Sequence, residues 1–270
     1  MRKFFRIIVL LFTGFTPFGL KSQCSEPEFA FGPGETLNYV VAYNWGFIWV
    51  DAGEVYFKTN HDKTVYEFEA FGRTYPYYDW LFKVRDLFQS RVDPVTFQPL
   101  WALRKTYEGG NEVYNEFVFD TLHKDVKIKV RYNDKPEKST ALALEACRFD
   151  VLTAAYFARN IDYDPLKPGD KIPVKFILDD EYYETHIKYL GKEILENRSG
   201  KKYWCHKISA IPVEGTIFKG GEELVVWVTA DRNKLPVMAE AKILVGSVVA
   251  YLTGYEGLKY KVEAEVKETK

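Results

Sequence analysis

The stretch GETLNYVVAYNWGFIWVDAGEVYF, residues 34–57, predicts the β-hairpin that begins the folded region. Between residues 36 and 43, aromatic and aliphatic side chains alternate with smaller or more polar ones, and this period of two is typical of a strand. Asn44 and Gly46 can adopt the positive φ that a hairpin turn requires, so we place the turn at Asn44, Trp45 and Gly46. The return strand is apolar on both faces, which predicts that it is covered on both sides.

Three residues interrupt the apolar pattern of the return strand. Gly53 lies in mid-strand, where a glycine indicates a β-bulge or a close approach of a neighbouring backbone. For Asp51 and Glu54 we favour a role as charged edge residues, or as hydrogen-bonding residues of the bulge, over a role in ligand binding.

The composition is that of a globular protein rich in β-structure. The chain has 270 residues, of which 47% are hydrophobic and 17% aromatic, enough for one large domain or two smaller ones. Its 19 Tyr and 20 Phe against 2 Met favour sheets over a helical bundle. The formal net charge is −1, and a chain without an excess of basic residues is not expected to bind nucleic acid.

The first 23 residues have the pattern of a signal peptide. Three basic residues within the first six precede an apolar run at residues 7–20, which is too short to span a bilayer comfortably. We therefore predict that residues 1–23 are removed and that residues 24–270 form a single antiparallel β domain. The predicted location of this mature chain is periplasmic or secreted.

Cys24 raises the question of a lipid anchor. A bacterial lipobox has a small residue directly before the cysteine and usually leucine three residues before it, whereas Gln23 and Lys21 stand at these positions. We therefore do not expect lipoprotein anchoring through Cys24. Cys147 and Cys205 can pair in an oxidising compartment, and the sequence leaves the pairing of the three cysteines open.

Most of the remaining chain is predicted to consist of short strands with short connections. Such connections favour an antiparallel meander over βαβ units, and the polar residues 133–140 are the best candidate for a linker. The expected fold is mainly β, with a large antiparallel curved sheet or open barrels and one main helix near residues 150–160. The predicted strands cover residues 64–72, 84–92, 100–106, 113–120, 126–132, 171–178, 181–191, 201–210, 223–230, 236–244 and 246–255.

The helix is predicted at residues 151–159. Asp150 is a good N-cap for it. An apolar stripe at helical spacing should pack on the sheet, and it includes Val151, Leu152, Ala155 and Tyr156.

A turn pattern recurs in the two halves of the chain. Pro33-Gly34-Glu35 begins the first set of strands, and Pro168-Gly169-Asp170 begins the second. A duplication would give two related halves, residues 31–135 and 165–260. Because such turns are common chemistry, a chance recurrence stays open as the alternative.

Residues 75–82 carry five aromatic rings, for which we favour a place in the core over a binding surface. Buried rings would plug one end of the sheet, whereas exposed rings would form the mouth of an apolar ligand site or a platform for a sugar. The candidate lining of a ligand site consists of Trp45, Trp49, Tyr77, Tyr78 and Trp80.

The sequence contains none of the common catalytic or cofactor motifs. Gly-x-Ser-x-Gly, His-Glu-x-x-His and the glycine-rich nucleotide loops are absent, and the four histidines lie in different predicted elements. Cys205 and His206 are merely adjacent, which is not a ligand spacing for a metal. We therefore expect no enzymatic activity, no metal and no cofactor.

Five segments occur in the order seen in a known family. They are GETLNYVVAYNWGFIWVDAGEV (34–55), FKVRDLFQSRVDPVTFQP (82–99), FDVLTAAYFARN (149–160) with KPGD (167–170), VVWVTADRNKLPVMAEAKI (225–243) and GSVVAYLTGYEG (246–257). The chain thereby resembles an exported bacterial family catalogued as domain of unknown function 3108. The resemblance implies an envelope or secreted location and a mostly antiparallel β architecture, and it transfers no catalytic residues. That architecture is similar to the open, curved barrels that carry lipoproteins or lipids in the bacterial periplasm, which is an analogy of fold alone.

Three functional hypotheses follow from the sequence. The leading one is an exported, non-enzymatic cell-envelope binding protein whose curved sheet covers an apolar cavity for a lipid, a lipidated peptide or another envelope component. The second is a structural or interaction module of an envelope complex, in which an exposed strand edge accepts a strand of a partner protein. The third is a polysaccharide hydrolase, which requires a cleft with two carboxylates and perturbed pKa values.

Overall fold

The computed structural model describes residues 29–45, 48–62, 64–145, 147–210, 223–242 and 246–267, except for the side chains of Trp45 and Ile48. These residues form fifteen strands, the helix α1 (Val151–Asn160) and a 3₁₀ turn (Pro76–Tyr78). The strands are β1 (Thr36–Trp45), β2 (Ile48–His61), β3 (Tyr66–Thr74), β4 (Val84–Val92), β5 (Pro99–Glu108), β6 (Asn111–Asp120), β7 (Asp125–Tyr132), β8 (Lys138–Ala143), β9 (Phe149–Asp150), β10 (Lys171–Leu178), β11 (Glu181–Glu196), β12 (Lys202–Ala210), β13 (Leu224–Thr229), β14 (Pro236–Lys242) and β15 (Ser247–Glu256).

All fifteen strands belong to one curved, open sheet, which confirms the predicted mainly β, antiparallel fold. Strands β1 to β8 form one antiparallel meander and β10 to β15 form a second. The two meanders meet where β1 pairs with β15, and the short β9 adds to β10 in parallel. Among the described residues, β8 and β9 are the two edges of the sheet. Whether the two meanders are related halves stays a prediction.

The first hairpin agrees with the prediction in its bulge and differs in its turn. β1 continues through Trp45, so Asn44 and Trp45 pair with β2 as strand residues, while Gly46 lies outside the described residues. The register of the two strands shifts beside Gly53. A Cβ on Gly53 would lie 2.4 Å from the carbonyl oxygen of Arg73. Both the predicted bulge and the predicted close approach of backbone are therefore confirmed.

The two acidic residues beside the bulge make surface ion pairs. Asp51 accepts a hydrogen bond from Arg198 with an N–O distance of 2.6 Å, and Glu54 lies 2.6 Å from a guanidinium nitrogen of Arg73. All four side chains are about half exposed. These pairs agree with the structural interpretation that the sequence favoured for Asp51 and Glu54.

Helix α1 begins where the sequence predicts, at the N-cap Asp150. One carboxylate oxygen of Asp150 accepts hydrogen bonds from the backbone N–H groups of Leu152 and Thr153, at 3.0 and 3.1 Å. The same oxygen accepts a hydrogen bond from the hydroxyl of Ser90 on β4, at 2.6 Å. The cap therefore also fixes the start of the helix to the sheet.

The buried face of α1 is rotated relative to the predicted stripe. Leu152, Tyr156 and Phe157 are buried, whereas Val151 and Ala155, two predicted members of the stripe, are exposed. Phe157, which the predicted stripe left out, has a larger apolar side chain than either Val151 or Ala155, and its burial favours the observed rotation. The fully or nearly buried core around the helix includes Phe31, Phe68, Val92, Phe97, Phe149, Tyr163 and Val228.

The predicted linker at residues 133–140 is wrong in its second half. Residues from Lys138 onward form β8, which pairs with β7 and continues the sheet without interruption. Five of the six residues of β8 are exposed and the sixth is half-buried. The polar composition thus belongs to an edge strand and not to a boundary between domains.

Candidate functional site

One end of the sheet gathers the last residues of β1, the first residues of β2 and the connections β3–β4 and β5–β6, and we call it the hairpin end. The register places them together, because Gly53 of β2 faces Thr74 of β3 and Val84 of β4 faces Glu108 of β5. The predicted aromatic residues belong to this end of the molecule.

The connection between β3 and β4, residues 75–82, is an exposed apolar surface that we call the aromatic loop. Tyr77 and Trp80 are 79% and 80% exposed, and Leu81 and Phe82 are 69% and 45% exposed. The favoured interpretation, that these rings plug the sheet as core, is therefore wrong for Tyr77 and Trp80. A ligand role for both residues stays a prediction.

A polar framework holds the aromatic loop in one conformation. Asp79 forms an ion pair with Arg85 at 2.6 Å and accepts a hydrogen bond from the Thr74 hydroxyl at 2.7 Å. The same hydroxyl oxygen accepts the backbone N–H of Val84 at 3.1 Å. The hydrogen bonds from Arg85 and Thr74 hold the pKa of Asp79 below its usual value. Because these bonds join the two ends of the loop, its backbone holds the apolar side chains outward.

The other predicted lining residues differ from Tyr77 and Trp80 in their surroundings. Trp49 is 49% exposed on β2, with its ring 6.3 Å from that of Tyr251. Tyr78 is half-buried and meets Tyr77 edge to face at 5.2 Å. The side chain of Trp45 lies outside the described part of the structure.

The interior of the sheet is filled beside α1 and more open toward the hairpin end. On β4, Val92 is buried and Phe88 is only partly buried. On β13, Val228 is buried and Val226 is only partly buried. All four side chains pack on the central core, and solvent reaches the two that lie nearer the hairpin end. We give the name cup to the partly buried side chains of the core on this side, Phe57, Phe88, Phe176 and Val226.

Charged side chains line the cup on its hairpin side. Asp86 shares a face of β4 with Phe88, two residues away, and Arg104 of β5 pairs opposite Phe88. A guanidinium nitrogen of Arg104 lies 3.0 Å from the carboxylate of Asp179, in the turn between β10 and β11. This ion pair joins the first meander to the second across the cup.

Asp86 has an unusual proton affinity. Burial, followed by the neighbouring Glu108, raises the pKa of Asp86 to about 7, although the backbone N–H of Tyr107 donates to its carboxylate at 3.2 Å. Asp86 and Glu108 are hydrogen-bonded to each other. Carboxyl groups in direct contact do not flank a glycosidic bond, since glycosidases keep theirs about 5–9 Å apart. The pair is therefore not arranged for polysaccharide hydrolysis.

The sequence of β4 carries a signal for part of this region. The inward face of β4 is apolar at Val84, Phe88 and Val92, and Asp86 and Ser90 are the polar exceptions. A polar residue in an apolar alternation indicates a structural or functional role. Both polar residues make a hydrogen bond: the Ser90 hydroxyl donates to Asp150, the N-cap of α1, and Asp86 interacts with Glu108.

The cysteines and histidines form no common site in the described residues. Cys147 is disulfide-bonded and Cys205 is a free, buried thiol, so the pairing of Cys147 with Cys205 is not formed. Nδ1 of His206 lies 3.1 Å from the hydroxyl of Tyr189 in the core. Across the described ranges, no three His, Cys, Asp or Glu side chains are grouped to hold a metal ion.

Two surface grooves lie away from the aromatic loop. One, of about 800 Å³, separates the β11–β12 turn from the C-terminal segment, and its charged lining includes Lys201, Lys202, Lys261 and Lys267. The other, of about 400 Å³, crosses the outer face of β6, β7 and β8. The first groove is lined mostly by charged residues, and the second lies beside the edge strand β8.

Residues 38–253 match the family described as Protein of unknown function (DUF3108), and the chain belongs to this family. The resemblance drawn from the sequence is thereby confirmed. None of the curated proteins matches the chain.

Two solved structures are similar to this fold. One is a β-barrel-like protein of domain of unknown function DUF1849 from Brucella abortus, with a TM-score of 0.56 and 9% identity, covering 84% of this chain and 98% of that chain. The other, titled a "putative lipoprotein" from Parabacteroides distasonis, has a TM-score of 0.34 and 12% identity, covering 86% of this chain and all of that chain. The first match shows a shared β-barrel-like fold and nothing about activity.

Proposed function

We propose that this member of the family is an exported, non-enzymatic binding protein of the cell envelope that holds a lipid or another apolar ligand in the cup. The observation that carries the proposal is the position of the cup beside the aromatic loop at the hairpin end. An amphiphilic ligand would place its apolar part against Phe88, Phe176 and Val226 and its polar part beside Arg104. Apolar linings with a few polar groups are typical of small-molecule sites.

Export is supported by the sequence and by one cysteine. The first 23 residues have the basic and apolar pattern of a signal peptide. Cys147 is disulfide-bonded, and disulfides persist mainly in oxidising compartments outside the cytosol. In the described part of the chain, no helix is long and apolar enough to cross a membrane.

A non-enzymatic role is favoured by the chemistry of the cup. Asp86 and Glu108 are hydrogen-bonded to each other. Arg104 is already paired with Asp179. These groups are suited to holding a polar headgroup by hydrogen bonds and charge, which is a binding function.

The proposal is tested by native mass spectrometry of residues 24–270 purified gently from a bacterial periplasm, with solvent extraction of bound material. We expect a discrete additional mass that extracts as lipid. Val226→Trp should fill the cup and lower the bound fraction at least about five-fold, because the larger side chain occupies the space of the ligand. Val118→Trp on the outer face, at a site that is 40% exposed, is the matched control and should leave the bound fraction unchanged.

One observation favours the interaction module as a second candidate. Strand β8 is an edge of the sheet that pairs with β7 alone among the described strands, and its side chains are exposed. Such an edge can accept a strand from a partner protein. If the wild type and Val226→Trp each showed only the mass expected from their sequence, with no bound lipid, the carrier proposal would be overturned in favour of this candidate.

A further inference from the structure

We propose that the aromatic loop docks this protein onto the surface of a lipid bilayer. The inference rests on the proposed function, and it names the lipid bilayer as the partner of the hairpin end. It starts from Tyr77, Trp80, Leu81 and Phe82, four large apolar side chains that are exposed within one turn of the sheet.

The shape of the loop fits a fluid surface better than a folded partner. The strands that carry the loop, β3 and β4, are each paired on both sides, so the loop offers no free backbone edge to another protein. The apolar side chains stand on a convex tip that is held by Asp79, Thr74 and Arg85. A bilayer adapts to such a tip, whereas a protein partner would need a complementary pocket.

The residue types are those found at membrane interfaces. Tyrosine and tryptophan combine an apolar ring with a polar group and are enriched where the acyl chains meet the headgroups. Tyr77 and Trp80 are the two most exposed rings of the loop, and Leu81 and Phe82 add wholly apolar side chains beside them. This composition is typical of peripheral segments that insert into the headgroup region.

The charge of the loop complements lipid phosphates. Asp79, the acidic residue of the loop, is neutralised by its ion pair with Arg85. Lys83 follows directly, is exposed and lies with its ammonium nitrogen 5.3 Å from the ring centre of Tyr107. The tip thus presents a positive charge next to its apolar side chains, and an anionic bilayer surface attracts such an arrangement.

Docking through this loop would turn the hairpin end toward the membrane. The cup lies at the same end, so its lining residues Phe88 and Val226 would face the bilayer. A lipid could then pass between bilayer and cup without crossing open water. The aromatic loop would therefore bind the bilayer first, and a lipid would then pass between the bilayer and the cup.

The experiment is sedimentation of residues 24–270 with vesicles of phosphatidylethanolamine and phosphatidylglycerol. We expect the wild type to sediment with the vesicles. The double variant Trp80→Ser, Leu81→Ser should lower the partition coefficient about ten-fold or more, since it removes the two largest apolar contacts. Leu122→Ser is the matched control: Leu122 is 83% exposed in the β6–β7 turn at the opposite end, and its loss should not alter binding.

Two results would overturn the inference: a wild type that stays in the supernatant, or a double variant that sediments as well as the wild type. Equal urea midpoints of the double variant and the wild type, expected because both side chains are exposed, show that folding is not the cause of a loss. A protein that carries extractable lipid but ignores vesicles would refute the docking and leave the proposed function standing. A protein that binds vesicles but carries no lipid would refute the proposed function and leave the docking standing.

Discussion

Asp86 lies on the inward face of β4, where burial and Glu108 raise its pKa to about 7. An aspartate in an unfolded chain titrates near about 3.9. The folded protein therefore binds this proton more tightly than the unfolded chain does. The resulting stabilisation is fully present below about pH 4 and is lost as the pH rises to about 7, with a slope of at most about 1.4 kcal/mol per pH unit.

Asp86→Asn should remove this pH dependence, because asparagine keeps the shape of the side chain and does not ionise. Between about pH 4 and about pH 7, the window between the two pKa values, the free energy of unfolding of the wild type should fall relative to that of the variant. Urea unfolding at a series of pH values measures the difference. Parallel curves for the two proteins would show that Asp86 titrates normally in the folded state.

The control for this measurement is Asp93→Asn. Hydrogen bonds from the backbone N–H and hydroxyl of Thr96 and the backbone N–H of Val95 lower the pKa of Asp93. Its contribution therefore has the opposite sign and is lost as the pH falls. Asp93→Asn should change the free energy of unfolding at low pH and leave unchanged the pH dependence that Asp86 produces.

At the scale of elements, periodicity predicted most strands because their burial is regular. The bounds of β4 and β10 are those predicted from alternation, Val84–Val92 and Lys171–Leu178. Strand β8 was missed because an exposed edge strand buries no face and therefore has no apolar alternation. The helix was found by its cap, while its buried face was misplaced because the neighbours that select it lie elsewhere in the chain.

The candidate site was less predictable than the elements that carry it. The aromatic loop was identified from its rings, but a local sequence does not show whether a turn packs against another element. Arg104 and Asp179 are 75 positions apart and meet only because the sheet curves. A single sequence contains no pattern for such a pair, whereas the polar exception Asp86 was visible within one strand.

The bulge in β2 gives a test at this scale. Gly53→Ala would place a Cβ about 2.4 Å from the carbonyl oxygen of Arg73, so β2 and β3 must move apart. We expect a loss of about 1–3 kcal/mol in the free energy of unfolding. Gly254→Ala on β15 is the control, since its nearest contact would be Asn38 Nδ2 at 3.9 Å. Equal effects of the two substitutions in thermal unfolding would refute the role of close backbone approach.

At the scale of the whole molecule, the two meanders are joined in two different ways. On one side β1 and β15 share a continuous ladder of backbone hydrogen bonds. On the other side, side chains make the connection: Arg104 binds Asp179, and the hydroxyl of Tyr182 donates to the carbonyl of Ala143 at 2.7 Å. The buried ion pair of Arg159 in α1 with Glu35 fixes the helix between them.

This asymmetry predicts an order of local opening. Strand β1 pairs on both sides, as do its neighbours β2 and β15, so the amides of these strands should exchange hydrogen slowly.

In contrast, β8 pairs with β7 alone in the described structure and buries almost no side chain, so its amides should exchange fastest of any strand of similar length. Hydrogen exchange followed by mass spectrometry of peptides measures both, and β7, which is paired on both sides, is the internal reference. If β8 exchanged as slowly as β7, its open edge would have to be covered in solution. No described strand covers that edge, so we would then expect a second chain to occupy it, and the interaction module would displace the lipid carrier as the better account of the molecule.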